Sequence, residues 1–408
     1  MSFFSRHLLY VLIIGIGSSI CGLGIAYYSP AGEPLQKELN LNPTQANIFN
    51  TLHPLFGILG GPINNFLIPL LGRKKMTFTI SVVSFISWIL LGVTKLNYYW
   101  LAFLARSLMG ICTGGFSGVC SMYIVETAPS KYRGSYGVIH QLMITLGIVW
   151  VYFLGIFCIW RTLAFVCMIS PLLLCILIWF VPESPANQEE TDVEKESLLQ
   201  KKFFPPLFSS FLLIVFQQFS GINPILTNLE KIFKDANIQI SPAVCSLITG
   251  IAQVIATLIA SFVIHKLGRR PSWIVSSAGQ MLALFLIWAQ ELWKINPFLS
   301  LVSLFTDVFF FGIAFGPVPW MIVPELFPDS VRTLAVSIMT GLNWLISSAT
   351  VFVWPFITEK LTPSWSFFLF GCFCTCAAIY GFFFMPETKG KEMGEDAKNY
   401  NDDRLNSV

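Results

Sequence analysis

Gly72-Arg73-Lys74 and Gly268-Arg269-Arg270 are two copies of one short motif, and they stand about 200 residues apart. Two further pairs recur at the same spacing: Glu126 with Arg133 matches Glu325 with Arg332, and Pro182-Glu183-Ser184 matches Pro386-Glu387-Thr388. Three independent matches at one spacing indicate that the chain consists of two halves with the same order of elements.

The composition places these halves in a membrane. Of 408 residues, 55% are hydrophobic and only 12% are charged, which excludes an ordinary soluble domain. A spanning helix needs about 20 apolar residues. The sequence offers twelve such runs, at residues 8–28, 46–71, 76–95, 98–124, 136–159, 162–181, 206–228, 242–265, 272–291, 298–322, 334–357 and 365–385. We therefore predict an all-α membrane protein with twelve transmembrane helices in two six-helix halves.

The boundaries and the orientation follow from the polar segments. The halves are predicted at residues 1–182 and 206–385, with a linker at 183–205 and a tail at 386–408. Lys and Arg concentrate in the loops on the side of the linker, so the positive-inside rule places that side and both termini in the cytoplasm. Within the linker, Thr191–Lys202 is predicted to form a short helix that begins with a capping box of Thr191 and Glu194. Leu198 and Leu199 then either touch the bundle or form a dileucine sorting signal with Glu194.

Uncharged amides mark the candidate site. Gln217-Gln-Phe-Ser-Gly-Ile-Asn223 lies inside the seventh apolar run, where each unpaired polar group costs several kcal/mol. Amides offer donors and acceptors without charge, which suits a neutral, hydroxyl-rich ligand. Gly221 and Pro224 favour a break in this helix that would free backbone groups. The alternative is that these amides only bond neighbouring helices.

Other spans carry further polar residues. Gln141 follows His140 in the fifth span, Gln253 is the amide of the eighth, and Asn343 precedes Trp344 in the eleventh. The run Gly316-Pro-Val-Pro-Trp320 is incompatible with a regular helix, and Trp320 either stacks on a sugar ring or lies at the membrane interface. Arg106 and Asp307 are ionisable residues expected within the bilayer, and such residues are candidates for functional sites.

A second candidate set lies on the cytoplasmic side. We predict that acids and arginines at equivalent places in the two halves form ion pairs that latch the halves together and break when the inside opens. The alternative is that their charges only orient the chain in the membrane. The set comprises Arg73, Glu126, Arg133, Glu183, Arg269, Glu325, Arg332 and Glu387.

Together these motifs resemble the sugar porter family of the major facilitator superfamily, and in kind the facilitative glucose transporters. The resemblance rests on the 217–223 stretch, the Pro-x-Pro-Trp of the tenth span, the two Gly-Arg turns, Tyr132-Arg133-Gly134, and the Pro-Glu-Ser and Pro-Glu-Thr-Lys-Gly segments. It runs from the first span to the end of the last. It implies alternating access around a hexose site made by Gln141, Gln217, Gln218, Asn223, Trp320 and Asn343, with Gln253 where the family often has Asn.

The chain departs from the family pattern at four places. Pro69 and His265 replace the acids that usually precede the Gly-Arg turns, and Gly312 replaces a glutamate of the tenth span. Thr227-Asn228 stands where the family has a tyrosine pair. Proton-coupled members carry an aspartate in the first span, and here the aligned residue is Gly24 or Tyr28. Since a carboxylate is the usual proton carrier at membrane depth, this last departure favours uniport.

We therefore expect facilitative transport of a monosaccharide, glucose or a related hexose. The alternatives are a proton-coupled sugar symporter that uses Asp307 or His140, and a sugar sensor that does not transport. We expect no enzyme, cofactor, metal site or nucleic-acid partner, because the sequence contains no nucleophile–base pair, phosphate loop or metal-ligand spacing. The expected partners are the sugar and the lipid bilayer, with a monomer sufficient for transport. The expected location is the plasma membrane, with an endosomal or lysosomal membrane as the alternative.

Overall fold

The computed structural model describes residues 3–128, 133–184, 196–236 and 238–391. Its described helices include eleven stretches that are long and apolar enough to cross a membrane. One of them, Pro43–Gly92, contains 50 residues and would be about 75 Å long as a single helix, against a hydrocarbon core of about 30 Å. The backbone breaks inside it at Gly72, where φ is 79°, so this stretch makes two crossings. The predicted twelve-helix fold is confirmed.

The spans follow one another in chain order, and several consist of more than one helical segment. The first span is Phe3–Ala26. The second consists of Pro43–Gly57 and the part of Gly60–Gly92 before the break at Gly72, and the third is the part after that break. The fourth is Trp100–Thr127, the fifth Arg133–Gly155, the sixth Trp160–Cys167 with Ile169–Leu177, and the seventh Phe204–Phe219 with Ile222–Thr227. The eighth is Pro242–Leu267, the ninth Arg269–Trp293, and the tenth Pro297–Phe310, a π-helical turn at Phe311–Phe315 and Pro317–Leu326. The eleventh and twelfth share Asp329–Phe383, which bends at Thr362.

Two short helices lie outside the spans, Tyr28–Glu38 after the first and Leu229–Asp235 after the seventh. We call their side of the molecule the far face. The opposite side, where the turns at Gly72 and Gly268 and the linker lie, is the linker face.

The outer surface is apolar, as a lipid-facing surface must be. Phe66, Phe262 and Phe382 are each at least 60% exposed although they belong to the middle or ends of spans. The polar side chains of the spans point inward instead, and Gln217, Gln253 and Asn343 are buried. Soluble proteins bury apolar side chains and expose polar ones, whereas here lipid surrounds the bundle and the polar side chains lie inside it.

The linker differs from its prediction. Residues 196–200 are not helical, and only Lys201–Phe203 forms a single 3₁₀ turn, so the predicted helix Thr191–Lys202 is wrong over its described part. Residues 191–195 lie outside the described ranges. Leu198 is buried in the bundle, Leu199 is exposed, and Lys202 pairs with Glu196. The buried Leu198 side chain and the Glu196–Lys202 ion pair hold this segment in a turn. The capping pattern in the sequence contains no sign of either contact.

Candidate functional site

A small cavity of about 50 Å³ lies between the two halves. The first six spans contribute Cys21, Ile25, Ser117, Gln141, Ile144 and Ile148; the second six contribute Gln217, Gln218, Ile222, Asn223, Leu226, Gln253, Phe311, Trp320, Asn343 and Trp344. The structure thus brings together all seven residues that the sequence suggested as a ligand site. The volume of this cavity exceeds the roughly 10–15 Å³ that a cavity needs to hold one water molecule.

The seventh span breaks where the sequence predicted. Its first segment ends at Phe219 and the next begins at Ile222, with Gly221 between them at a φ of 81°. A Cβ at this glycine would lie 2.2 Å from the ring of Phe370, so both the backbone angle and the packing require glycine. Because of the break, Gln217 and Gln218 end one segment while Asn223 begins the next, and all three face the cavity.

Gln217 joins the seventh span to the tenth and eleventh. Its Nε2 donates to the carbonyls of Phe315 (2.8 Å) and Gly316 (3.0 Å), and its Oε1 accepts from Asn343 Nδ2 at 2.9 Å. In an α-helix the Phe315 carbonyl would accept from the N–H of residue 319, and Pro319 has none. The amide of Gln217 therefore satisfies a carbonyl that the proline leaves open.

Asn223 makes a second link of the same kind. Its Nδ2 donates to Gln218 Oε1 at 2.6 Å and to Ser347 Oγ at 2.9 Å. Ser347 lies one helical turn after Asn343, on the same face of the eleventh span. The seventh-span amides thus bond neighbouring helices and line the cavity at once, so the two interpretations offered by the sequence apply together.

Gln253 is different, because neither of its amide atoms has a hydrogen-bond partner although the residue is fully buried. An unpaired buried amide costs about 1–3 kcal/mol, which a ligand hydroxyl in the cavity would relieve. Of the two alternatives for Trp320, the structure favours the cavity over the membrane interface, because this side chain lines the cavity wall. The ring of His140 meets it edge-on at 5.5 Å, and Nδ1 of His140 is 2.8 Å from Ser18 Oγ.

A contact between the two halves beside the central cavity, made by Trp344, was not predicted from the sequence. Trp344 Nε1 donates to Ser117 Oγ at 3.2 Å, and its ring meets His53 edge-on at 5.9 Å. A Cβ at Gly57 would lie 2.9 Å from the same indole, so the absence of a side chain at Gly57 lets Trp344 pack against the first half. The Asn343-Trp344 pair was noticed only for its amide, and neither Ser117 nor Gly57 carries a sequence signal of this role.

Two glycines explain departures from the family pattern. A Cβ at Gly24 would lie 2.4 Å from His53 Nε2, and one at Gly312 would lie 2.9 Å from Ala256 Cβ and from the Gln253 carbonyl oxygen. A side chain at Gly312 would press on the backbone of the eighth span, and one at Gly24 would require the His53 ring to move. Arg106 Nη1 donates to the Gly24 carbonyl at 2.8 Å.

Asp307 is buried away from the cavity. Its Oδ1 accepts from Gln280 Nε2 at 3.1 Å, between the ninth and tenth spans. Neither residue lines the central cavity.

On the linker face, the charged residues of the first half form one network. Arg73 contacts Glu126 through Nε (3.2 Å) and Nη2 (3.1 Å), and both side chains are nearly inaccessible to solvent. The Glu183 carboxylate accepts from the backbone N–H groups of Arg73 (2.9 Å) and Lys74 (3.3 Å), at the start of the third span. An acid at a helix N-terminus pairs with unsatisfied donors and with the helix dipole.

The second half repeats this network. Arg269 contacts Glu325 through Nη2 (2.6 Å) and Nε (3.3 Å), and Glu387 accepts from the backbone N–H groups of Arg269 and Arg270 at 3.0 Å each. Both ion pairs lie within a half and not across the two halves. The link across the halves is Arg332, whose charge acts on Glu126 while its Nε donates to the carbonyls of Pro324 and Phe327. The side chain of Arg133, the equivalent residue, lies outside the described part of the chain.

Comparison with known proteins gives one consistent result. The family model described as "Sugar (and other) transporter" matches residues 25–195 and 186–399. The sugar transporter ERD6-like 6 of Arabidopsis thaliana is 28% identical, with 94% of this chain and 88% of that protein covered. The facilitated trehalose transporter Tret1 of Bombyx mori is also 28% identical, with 96% and 86% covered.

Solved structures agree in fold. The proton:xylose symporter XylE bound to 6-bromo-6-deoxy-D-glucose superposes with a TM-score of 0.87 at 23% identity, over 98% of this chain and 100% of that chain. The inward-open conformation of XylE from E. coli gives a TM-score of 0.78 at 24% identity, again over 98% and 100%.

Proposed function

The chain belongs to the sugar porter family of the major facilitator superfamily, and from that premise we propose that it carries a monosaccharide, glucose or a related hexose, down its gradient. It is a membrane sugar transporter and not an enzyme. What remains to be proposed is the substrate, the absence of ion coupling and the residues that act.

The observation that carries the proposal is the chemistry of the central cavity. Its polar lining consists of amides, indoles, one hydroxyl and one thiol, and none of the described residues that line it carries a charged side chain. Such a lining matches a neutral polyol and leaves an ion or a carboxylate without a counter-charge. Gln253 offers one acceptor and two donors that nothing else uses. Trp320 and Trp344 add flat apolar faces for the carbon side of a sugar ring.

Uniport is supported by the geometry at Gly24. The residue aligned with the first-span carboxylate is Gly24 or Tyr28, and neither carries an acid. At Gly24, the ring of His53 lies 2.4 Å from where a Cβ would be. Asp307 bonds Gln280 behind the cavity, where a proton on it would have no contact with a sugar. A proton cycle that is coupled to sugar needs an acid that senses the occupied site, and the cavity lining contains none.

The transport step is alternating access. We infer that the linker face is cytoplasmic, as the positive charges favour, and that the conformation described here is closed on that side. The Arg73–Glu126 and Arg269–Glu325 pairs would keep each half rigid, while Arg332 would hold the second half against Glu126 of the first. Opening of the linker face would separate Arg332 from Glu126, and the cavity would widen to release the sugar.

The named relatives leave the size of the sugar to be tested. Tret1 proteins are called trehalose transporters, and trehalose is a disaccharide.

The test is uptake of labelled glucose into proteoliposomes that hold the purified protein, with protein-free liposomes as the control. Saturable uptake that unlabelled glucose inhibits more strongly than trehalose would support the proposal. Stronger inhibition by trehalose would assign a disaccharide, and no uptake of any sugar would favour the sensor.

A further inference from the structure

A second cavity, of about 830 Å³, lies on the far face between the two halves. Its walls include the helix Tyr28–Glu38 from the first half and the helix Leu229–Asp235 from the second. These helices follow the first and seventh spans, so they occupy equivalent places in the repeat. They face each other across the boundary between the two halves, on the side where this cavity opens.

The two helices are joined across the halves by charge. Glu33 accepts from Lys234 Nζ through both oxygens, at 3.1 and 2.9 Å, and the Glu230 backbone N–H donates to Ser29 Oγ at 3.2 Å. Both contacts connect the first half to the second, so both must break for the entrance to widen. Glu33 also accepts from Lys37 at 2.8 Å, but that pair lies within one helix and survives the opening.

Glu230 adds a cost to closure. Its Oε1 is buried without a hydrogen-bond partner, and Glu33 lies close enough to repel it. The other titratable groups around it, among the described residues, are Tyr28 and Lys37 on the facing helix, Tyr152 of the fifth span, and Lys231, Lys234 and Asp235 on its own helix. An ionised carboxylate in this place is unfavourable, whereas the neutral acid is tolerated.

From these contacts we propose that Glu33, Lys234 and Glu230 form the far-face gate of the transport cycle, and that the gate takes up a proton on Glu230 as it closes. The proposal rests on the proposed function, because a gate has meaning only in a transporter. It also gives the chain a replacement for the tyrosine pair that is absent at Thr227-Asn228, since Asn228 is the joint between Ile222–Thr227 and the gate helix.

The charges set the direction of the pH dependence. Burial and the neighbouring Glu33 raise the pKa of Glu230 to about 7, whereas hydrogen bonds from Lys37 and Lys234 lower the pKa of Glu33 to about 2. When the gate opens, Glu230 is exposed and its pKa returns to roughly 4.3, the ordinary value for glutamate. Through Glu230, closure weakens as the pH rises from roughly 4.3 towards 7 and changes little above 7. Through Glu33, it also weakens as the pH falls below roughly 4.3, because protonation of Glu33 removes its attraction to Lys234. Closure is therefore most favourable at a pH of about 4 to 5.

The ion pair between Glu33 and Lys234 is weak because both side chains are exposed to solvent. Glu33 and Lys234 are 54% and 60% exposed, so solvent and salt screen their attraction. Loss of the pair should raise the open population about twofold to fivefold. A gate that must open in every cycle needs a bias of this size and not a permanent bond.

Hydrogen exchange of the amides in Leu229–Asp235, followed by mass spectrometry on the full chain in lipid nanodiscs, tests the gate without any transport. At about pH 5, Glu33 is ionised and Glu230 is neutral in the closed gate, so Glu33→Gln removes the attraction to Lys234 without relieving a repulsion. Under these conditions it should raise exchange in this helix about twofold to fivefold. The double variant Glu33→Lys, Lys234→Glu, in which the two charges are swapped, should restore the wild-type rate of amide exchange. Lys37→Gln is the matched control, because it removes a pair to the same carboxylate within one helix and should leave exchange unchanged.

The proton is tested with Glu230→Gln, which mimics the neutral acid. The ratio of wild-type to variant exchange cancels the intrinsic pH dependence of amide exchange. This ratio should rise between about pH 4.5 and 7 and then level off. Equal exchange in Glu33→Gln and Lys37→Gln, or a ratio that does not vary with pH, would overturn the gate. Failure of glucose uptake would refute the proposed function and leave this measurement intact.

Discussion

Gln253 provides the sharpest test of the central cavity, through its replacement by leucine. The two side chains have similar volume, but leucine carries no polar atom. Gln253 is fully buried, and neither of its amide atoms is paired in the empty site. Replacing an unpaired polar group by an apolar one of similar shape is nearly neutral or stabilising, so Gln253→Leu should unfold at the wild-type temperature or above it.

The same change should weaken sugar binding. If the bound sugar donates one hydrogen bond to Gln253 and accepts one from it, the variant loses two bonds of about 0.5–1.5 kcal/mol each. The sum, about 1–3 kcal/mol, corresponds to a decrease in affinity of roughly fivefold to 150-fold. The assay is the concentration dependence of glucose uptake in proteoliposomes, combined with thermal unfolding of the detergent-solubilised protein.

Gln280→Leu is the matched control. Gln280 is also fully buried, but it donates to Asp307 and lies outside the cavity lining. This variant should unfold at a lower temperature, because Asp307 loses its partner, while its KM for glucose stays at the wild-type value. Gln253→Leu with an unchanged KM would refute the reasoning.

Three further predictions follow from the described contacts. Gly221→Ala should lower the unfolding temperature and abolish most uptake, because the left-handed backbone costs about 1–2 kcal/mol and the new Cβ meets Phe370; a wild-type thermal profile would contradict the required break. Arg332→Ala should slow net glucose uptake about fivefold, by loss of about 1 kcal/mol of attraction to Glu126, with equal net flux and exchange in variant and wild type as the contrary result. Asp307→Asn should leave the steady-state accumulation of glucose indifferent to an imposed proton gradient, as in the wild type; accumulation driven by the gradient in the wild type and lost in the variant would make Asp307 the proton carrier.

The sequence predicted the fold and the membership of the cavity well, for identifiable reasons. Apolar runs and a repeat of about 200 residues are properties of the chain itself, and polar groups in hydrocarbon have nowhere to go but inward. Gln217 illustrates what was not predictable: its partners are backbone carbonyls of Phe315 and Gly316, nearly a hundred residues away, and no pattern marks a carbonyl left open by a proline.

The ion pairs and the gate show the same limit. The sequence identified Arg73 and Glu126 as candidates for an ion pair that latches the two halves, but their pairing within one half depends on how the third and fourth spans cross. The Glu33–Lys234 ion pair joins two short surface helices, and no sequence motif predicted that they would meet. The linker turn at Leu198 depended on a single buried side chain, which overrode the local preference for a helix.

The most direct test of the account is the steady-state accumulation of labelled glucose in proteoliposomes, with and without a proton gradient imposed across the membrane. A central cavity lined by neutral side chains, with no acid at Gly24, predicts that inside and outside concentrations become equal in both conditions. Accumulation above the outside concentration only when the outside is acidic would contradict uniport and establish proton-coupled transport.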